Sequence, residues 1–189
     1  MSNIFITGQC ITLLQRIQVV TSTPAIPLAN TTYYTSAQTA LTFSGLTGDS
    51  YRYMMMAGKI VSAGNDSTTI NFNGVASSVY DYRVTQPNSS SANNVYTGAA
   101  QTFIQIGIST GNNTIDTFSW SMLSASGQNR QIVGQYLRGA SSGNDISAGY
   151  DNFGVWRNSA NEITSVSLGY ASQLNGFKIG TEVMLFGIV

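Results

Sequence analysis

The sequence predicts an all-β fold, a two-sheet antiparallel β-sandwich of jelly-roll type with an extended N-terminal arm, and three observations predict it. Apolar residues recur in short runs with β-type alternation, and almost nothing sustains a helical period. The runs are separated by stretches such as "GNDS", "TGNN" and "SSGND", whose residues accept positive φ or hydrogen-bond their own backbone. Only 8% of residues are charged, against about 25% in an average domain, so the loops between strands are neutral and small. The 189 residues allow one core of ordinary size, with roughly 70% of the unfolded surface removed from water.

Residues 1–30 read as an attachment arm and linker, and residues 31–189 as the sandwich head. The stretch "NIFITGQCITLLQRIQVVTSTPAIPLAN" is apolar without clean alternation. Pro24 and Pro27 bracket a part of it that must be extended. Its large apolar residues Ile4, Phe5, Leu13 and Leu14 are the expected contacts with another component. An extra strand of the same sandwich is the competing reading, and Ile11 to Val20 fits a short helix or a strand equally well.

In the head, ten runs read as strands: "TALTFSGL", "YRYMMMAGKIVSA", "TTINFNGV", "VYDYRV", "TFIQIGIS", "TIDTFSWSML", "RQIVGQYLRG", "NFGVWRN", "ITSVSLGYA" and the terminal "GFKIGTEVMLFGIV". Phe118, Trp120 and Met122 alternate with polar neighbours, which marks them as core. The longest interval, Gln86 to Asn94, predicts an exposed, mobile loop. The last run is apolar on both faces: Val183, Leu185 and Val189 point one way, Met184, Phe186 and Ile188 the other. One set suits the core. The other predicts an oligomer interface, unless the strand is central and buried within one chain, or covered by the arm.

The stretch "ITSVSLGYASQLNGFKIGTEVMLFGIV" resembles the C-terminal strand pair of many tailed-bacteriophage virion proteins, in which an Ile-Thr-Ser-Ile-like strand precedes a Phe-x-x-Gly-Ser/Thr turn and a final Leu-Tyr-Gly-like strand. Upstream, "LTFSGLTGDSYRYMMMAGKIVSA" and "STTINFNGVASSVYDYRV" are similar to the front half of the same proteins, so the likeness spans Leu41 to Val189. Phe186 stands where Tyr is usual, and Ile188-Val189 extends the end. The resemblance implies a jelly-roll head on the particle exterior, often a homotrimer, held through residues 1–30 by another virion protein. A tail-associated or fibre-type host-adhesion protein is expected, made in the host cytoplasm and assembled on the virion. The alternative is a capsid decoration or cement protein clamped on the head shell.

Chemistry-bearing residues are sparse, and no enzyme, cofactor, metal site or catalytic residue is expected. The sequence has no histidine, which removes the usual general base and the commonest metal ligand. Asp145, Asp151 and Glu162 retain the residue types of a two-carboxylate glycosidase, although acidic residues in such turns are ordinarily turn formers. The same reading applies to Asn65-Asp66 and Asn144-Asp145 as calcium ligands. Cys10, the one cysteine, reads as a small buried apolar residue. The zero net charge and lack of a basic cluster remove the main source of nucleic-acid affinity. No run approaches the ~20 apolar residues of a membrane-spanning helix, so membrane insertion is not expected. Tyr80, Tyr82, Tyr150 and Trp156 cluster near turns with Phe153 and are candidate contacts for a host-surface glycan, weighed against packing in the core or an interface.

Overall fold

The computed structural model describes residues 4–6, 9–86, 94–109, 111, 113–125, 127–139, 146–172 and 176–189. Among them, strands supply all the regular structure except one short 3₁₀ turn at Gly48–Ser50. The large sheet runs in the order β1 (Ile4–Ile6), β2 (Gln9–Val19), β14 (Glu182–Ile188), β5 (Tyr53–Val61), β10 (Ile115–Leu123), β11 (Arg130–Gly139), β12 (Ile146–Trp156), β7 (Tyr80–Gln86) and β8 (Asn94–Gln101). A further strand, β3 (Thr31–Tyr34), lies parallel beside β2. The small sheet is β4 (Ala40–Ser44), β13 (Ser165–Tyr170), β6 (Asp66–Phe72) and β9 (Ile104–Ser109). Every pairing except β2 with β3 is antiparallel. The chain passes repeatedly from one sheet to the other, giving the sandwich of jelly-roll type that the sequence predicts.

Each of the ten runs read as strands overlaps one, although β12 starts six residues before its run. Alternation explains why: along β10, Asp116, Phe118, Trp120 and Met122 are buried while Ile115, Thr117, Ser119 and Ser121 are exposed. Four strands lie outside those runs. β8 has almost no buried residue and is held by backbone pairing to β7.

The other three are β1 and β2, in the stretch set off as arm and linker, and β3, which follows it at the start of the head. β2 is hydrogen-bonded to β14 from Gln18 to Ile11, with Ile17 and Val19 buried, so Ile11 to Val20 is strand rather than helix. A register shift opposite Leu185/Phe186 sets Leu13 against Phe186 and Gln15 against Leu185. Leu14, between them, packs against the core. Bulging of this kind breaks the period-2 pattern. The parallel neighbour β3 requires the chain to travel back along the sheet, and the exposed residues 21–30 carry it.

The core lies between the sheets, where Phe72 of β6 stacks on Trp156 of β12 at 5.2 Å and meets Trp120 of β10 edge-on at 6.5 Å. Tyr80 lies beside both rings, 6.3 Å from Phe72 and 6.4 Å from Trp156, and its hydroxyl bonds the Phe72 backbone. Arg130 is fully buried at the start of β11. Its guanidinium donates to the carbonyls of Asn158 and Asn161, sits 5.3 Å from the Trp156 ring and 3.7 Å from Asp49. A buried cation is tolerated only with such partners. These hold the connection that carries the chain from β12 of the large sheet to β13 of the small one.

Candidate functional site

β14 sits between β2 and β5, hydrogen-bonded on both edges. Val183 and Leu185 are sealed in the core, whereas Met184, Phe186 and Ile188 are half-buried on the outward face. Cross-strand register extends that apolar surface. Leu13, Phe186, Met55, Ser121, Val133 and Phe153 stand opposite one another in succession across β2, β14, β5, β10, β11 and β12. Cross-strand neighbours on one face are in contact distance, so the row forms a band interrupted only at Ser121. Ile11, Ile188, Tyr53 and Leu123 form a second row beside it.

The band is open. Phe153 and Val133 remain 49% and 52% exposed and border a groove of about 340 Å³ with Arg83 and Gln131. At the β14 end the rim turns polar: Arg16 pairs with Glu182 at 3.5 Å and Gln18 donates to Glu182 at 2.9 Å.

The sequence-predicted residues fall into three groups. Met184, Phe186, Ile188 and Leu13 come together on the outward face of the large sheet. Ile4 and Phe5 lie in β1, antiparallel to β2 through the pairs Ile4 with Ile11 and Phe5 with Cys10. Leu14 is turned to the core. Cys10 is half-buried, its sulfur 3.8 Å from the Thr12 hydroxyl.

The glycan candidates require correction. Tyr80 and Trp156 have no exposed surface and Tyr150 is 2% exposed, so none offers a ring face to a sugar. Each points between the sheets, where an aromatic ring gains most from burial. Tyr82 is half-buried and stacks on Phe103 at 6.4 Å. The aromatic that does face outward among those near the turns is Phe153. Alternation in "VYDYRV" was the available signal, since it puts Tyr80, Tyr82 and Val84 on one face against Asp81 and Arg83.

The described carboxylates are dispersed. Asp145 and Asn144 lie outside the described residues, as does most of the interval Gln86 to Asn94. Asp151 accepts from Gln135 on the outward face of the large sheet, while Glu162 lies in the connection to β13, where its carbonyl accepts from Asn73. Asp66 accepts from the backbone of Ser67 and of Ser172, the turn-forming role expected of it.

One acidic side chain missed by the sequence reading is buried completely. Asp116 receives the hydroxyl of Ser109, the phenol of Tyr136 at 2.7 Å and the Gly139 amide at 3.1 Å. Tyr136 also lies 3.1 Å from the Thr68 hydroxyl, so the group ties β6, β9, β10 and β11 together. Gly107 makes room for it: a Cβ there would stand 2.4 Å from the Tyr136 ring. Burial first, and then the Asp116 carboxylate, push the Tyr136 phenol well above its ordinary value. Burial raises Tyr170 to about 12.

The outward face of the small sheet has a different chemistry. Thr42, Ser167 and Asn71 form one cross-strand row, and Ala40, Gly169, Thr69 and Gln105 the next. These side chains are neutral, and all but Gln105 are small. A depression of about 270 Å³ opens over them, bordered by Thr102 and Phe103. In comparisons with known proteins, no family model and no curated sequence matches this chain.

Proposed function

We propose that this chain is a non-enzymatic, outward-facing structural protein of a phage particle, whose copies associate through the outer face of the large sheet. The supporting observation is the apolar band from Leu13 to Phe153 with Met184, Phe186 and Ile188 at its thick end. Contiguous exposed apolar surface with a polar rim is the pattern of an interaction site. A second copy is the economical cover, because closed symmetric self-association is the common solution for such surfaces. The likeness of Leu41 to Val189 to phage virion proteins supports a homotrimer of the tail-associated, host-adhesion kind. The small sheet then faces away from the partner copies, and its neutral polar surface is the part presented outward.

Sedimentation equilibrium of the full chain at micromolar concentrations tests the assembly, with a trimer expected. A stable monomer over that range overturns it. Antibody labelling of intact particles tests the location: labelled tail tips are expected, whereas unlabelled particles remove the virion assignment.

A further inference from the structure

We infer that the depression on the outward face of the small sheet is a binding site for a single neutral sugar ring. The inference rests on the preceding reading only in requiring that this face stay uncovered in the assembly.

The depression exists because of which side chains meet there. Gly169 of β13 lies between Ala40 of β4 and Thr69 of β6, so the middle of the row contributes no bulk beyond one methyl and one small hydroxyl side chain. Next to it, Ser167 stands between Thr42 and Asn71, with the Thr42 and Ser167 hydroxyls 2.9 Å apart. The connection from β8 to β9 raises a wall at one side through Thr102 and Phe103. Phe103 is also held by the Tyr82 ring, nearly parallel to it at 17°.

The lining selects the ligand by chemistry. Among the described residues no charged one contributes to it, so a charged ligand would lose hydration with no counter-charge to replace it. A purely apolar ligand would leave the Thr69 and Thr102 hydroxyls and the Asn71 amide without water, which costs more than the apolar contact returns. A neutral sugar satisfies both constraints, with hydroxyls along its edge for the Ser, Thr and Asn groups and an apolar C–H face for the Phe103 ring. The volume of about 270 Å³ sits just under the roughly 300 Å³ lower end of small-molecule pockets, which fits one ring better than an extended chain.

Gly169 also supplies the test. A Cβ at that position would meet only the Thr69 hydroxyl at 3.7 Å and the Thr39 carbonyl at 3.9 Å, which are ordinary contacts. Gly169→Val therefore fills the depression while leaving the strand in place, and an unchanged thermal midpoint verifies that it does. Saturation-transfer NMR on the full chain would use methyl glycosides of glucose, galactose and mannose, with N-acetylglucosamine, N-acetylgalactosamine and the charged N-acetylneuraminate as further probes. Transfer to at least one neutral sugar is expected, weakened at least tenfold by Gly169→Val and by Phe103→Ala. Silence with every neutral sugar, binding unaltered in both variants, or preference for N-acetylneuraminate each overturns the site. Sedimentation of the same samples keeps the two ideas separate: a monomer that still binds sugar removes the assembly and retains the site, whereas a trimer that binds none does the reverse.

Discussion

The outward rows of the two sheets differ in kind. From Leu13 to Phe153 the large sheet presents five apolar side chains and one serine. The outward residues of β4, β13 and β6 are Ala, Thr, Ser, Gly and Asn, with no side chain larger than Asn. Both sheets contribute inner-face residues to one core, so the contrast lies in their outward faces. An outward apolar band is useful when something covers it, and a neutral hydroxyl surface is useful when it remains wet. This difference is the ground on which we propose one face for assembly and the other for presentation.

Separating the two sheets energetically is the strongest way to sharpen this contrast. Arg130→Ala removes the buried cation that donates to the carbonyls of Asn158 and Asn161, and each hydrogen bond to a charged group contributes about 1.5–3 kcal/mol. Because those carbonyls lie on the crossover to β13, hydrogen exchange should accelerate in β13 and β4 before β5 and β14. Simultaneous loss of protection in both sheets would show that the crossover is no hinge between them.

Alkaline titration should follow, with an effect on the order of 2–3 kcal/mol from Tyr170. Burial favours its neutral phenol, so the folded state holds the proton more tightly than the unfolded chain. The stability that this supplies is intact below pH 10 and is lost as the pH rises toward about 12. Tyr136, raised in the same direction, adds to the loss. Chemical denaturation across that range should show it, and Tyr170→Phe should flatten the dependence; an unaltered slope would mean that the ring is not sealed in the folded state.

Phe186→Ser tests the apolar face directly. Burying a phenylalanine fully is worth about 1.5–3 kcal/mol, and Phe186 is only half-buried in the single chain. Most of its contribution should therefore appear in association, as at least a tenfold weaker assembly by sedimentation with a smaller change in the monomer's denaturation midpoint. The reverse partition would assign this face to folding alone. Thr42→Val on the small sheet should do least, changing stability by no more than about 0.5 kcal/mol and leaving the assembly as it was. A change in stoichiometry would break the division between the faces.

The strands of the head were legible because their faces alternate cleanly, as in β10, where the turn residues on either side also mark the ends. β2 was not, because the register shift at Leu14 turns the apolar series from one face to the other within a single strand. β8 escaped because it buries almost nothing and so carries no hydrophobic period. Among the aromatics, nearness to turns suggested exposure, but Tyr80 and Trp156 are covered by the opposing sheet. In β12 the alternation even misleads: Asn152 and Gly154 face inward with Trp156 while Phe153 and Val155 face outward.

By itself the sequence determined the fold class, most of the strands and the two-faced apolar character of the last one, since period-2 patterning and turn chemistry are local properties. Tertiary structure alone decided that Phe186 meets Leu13 from the far end of the chain, that Asp116 and Tyr136 share a buried site, and that Gly169 opens a depression between Ala40 and Thr69. Alternation states which side of a strand a residue occupies. Strand order and register, set by packing between distant segments, decide which residues stand beside it.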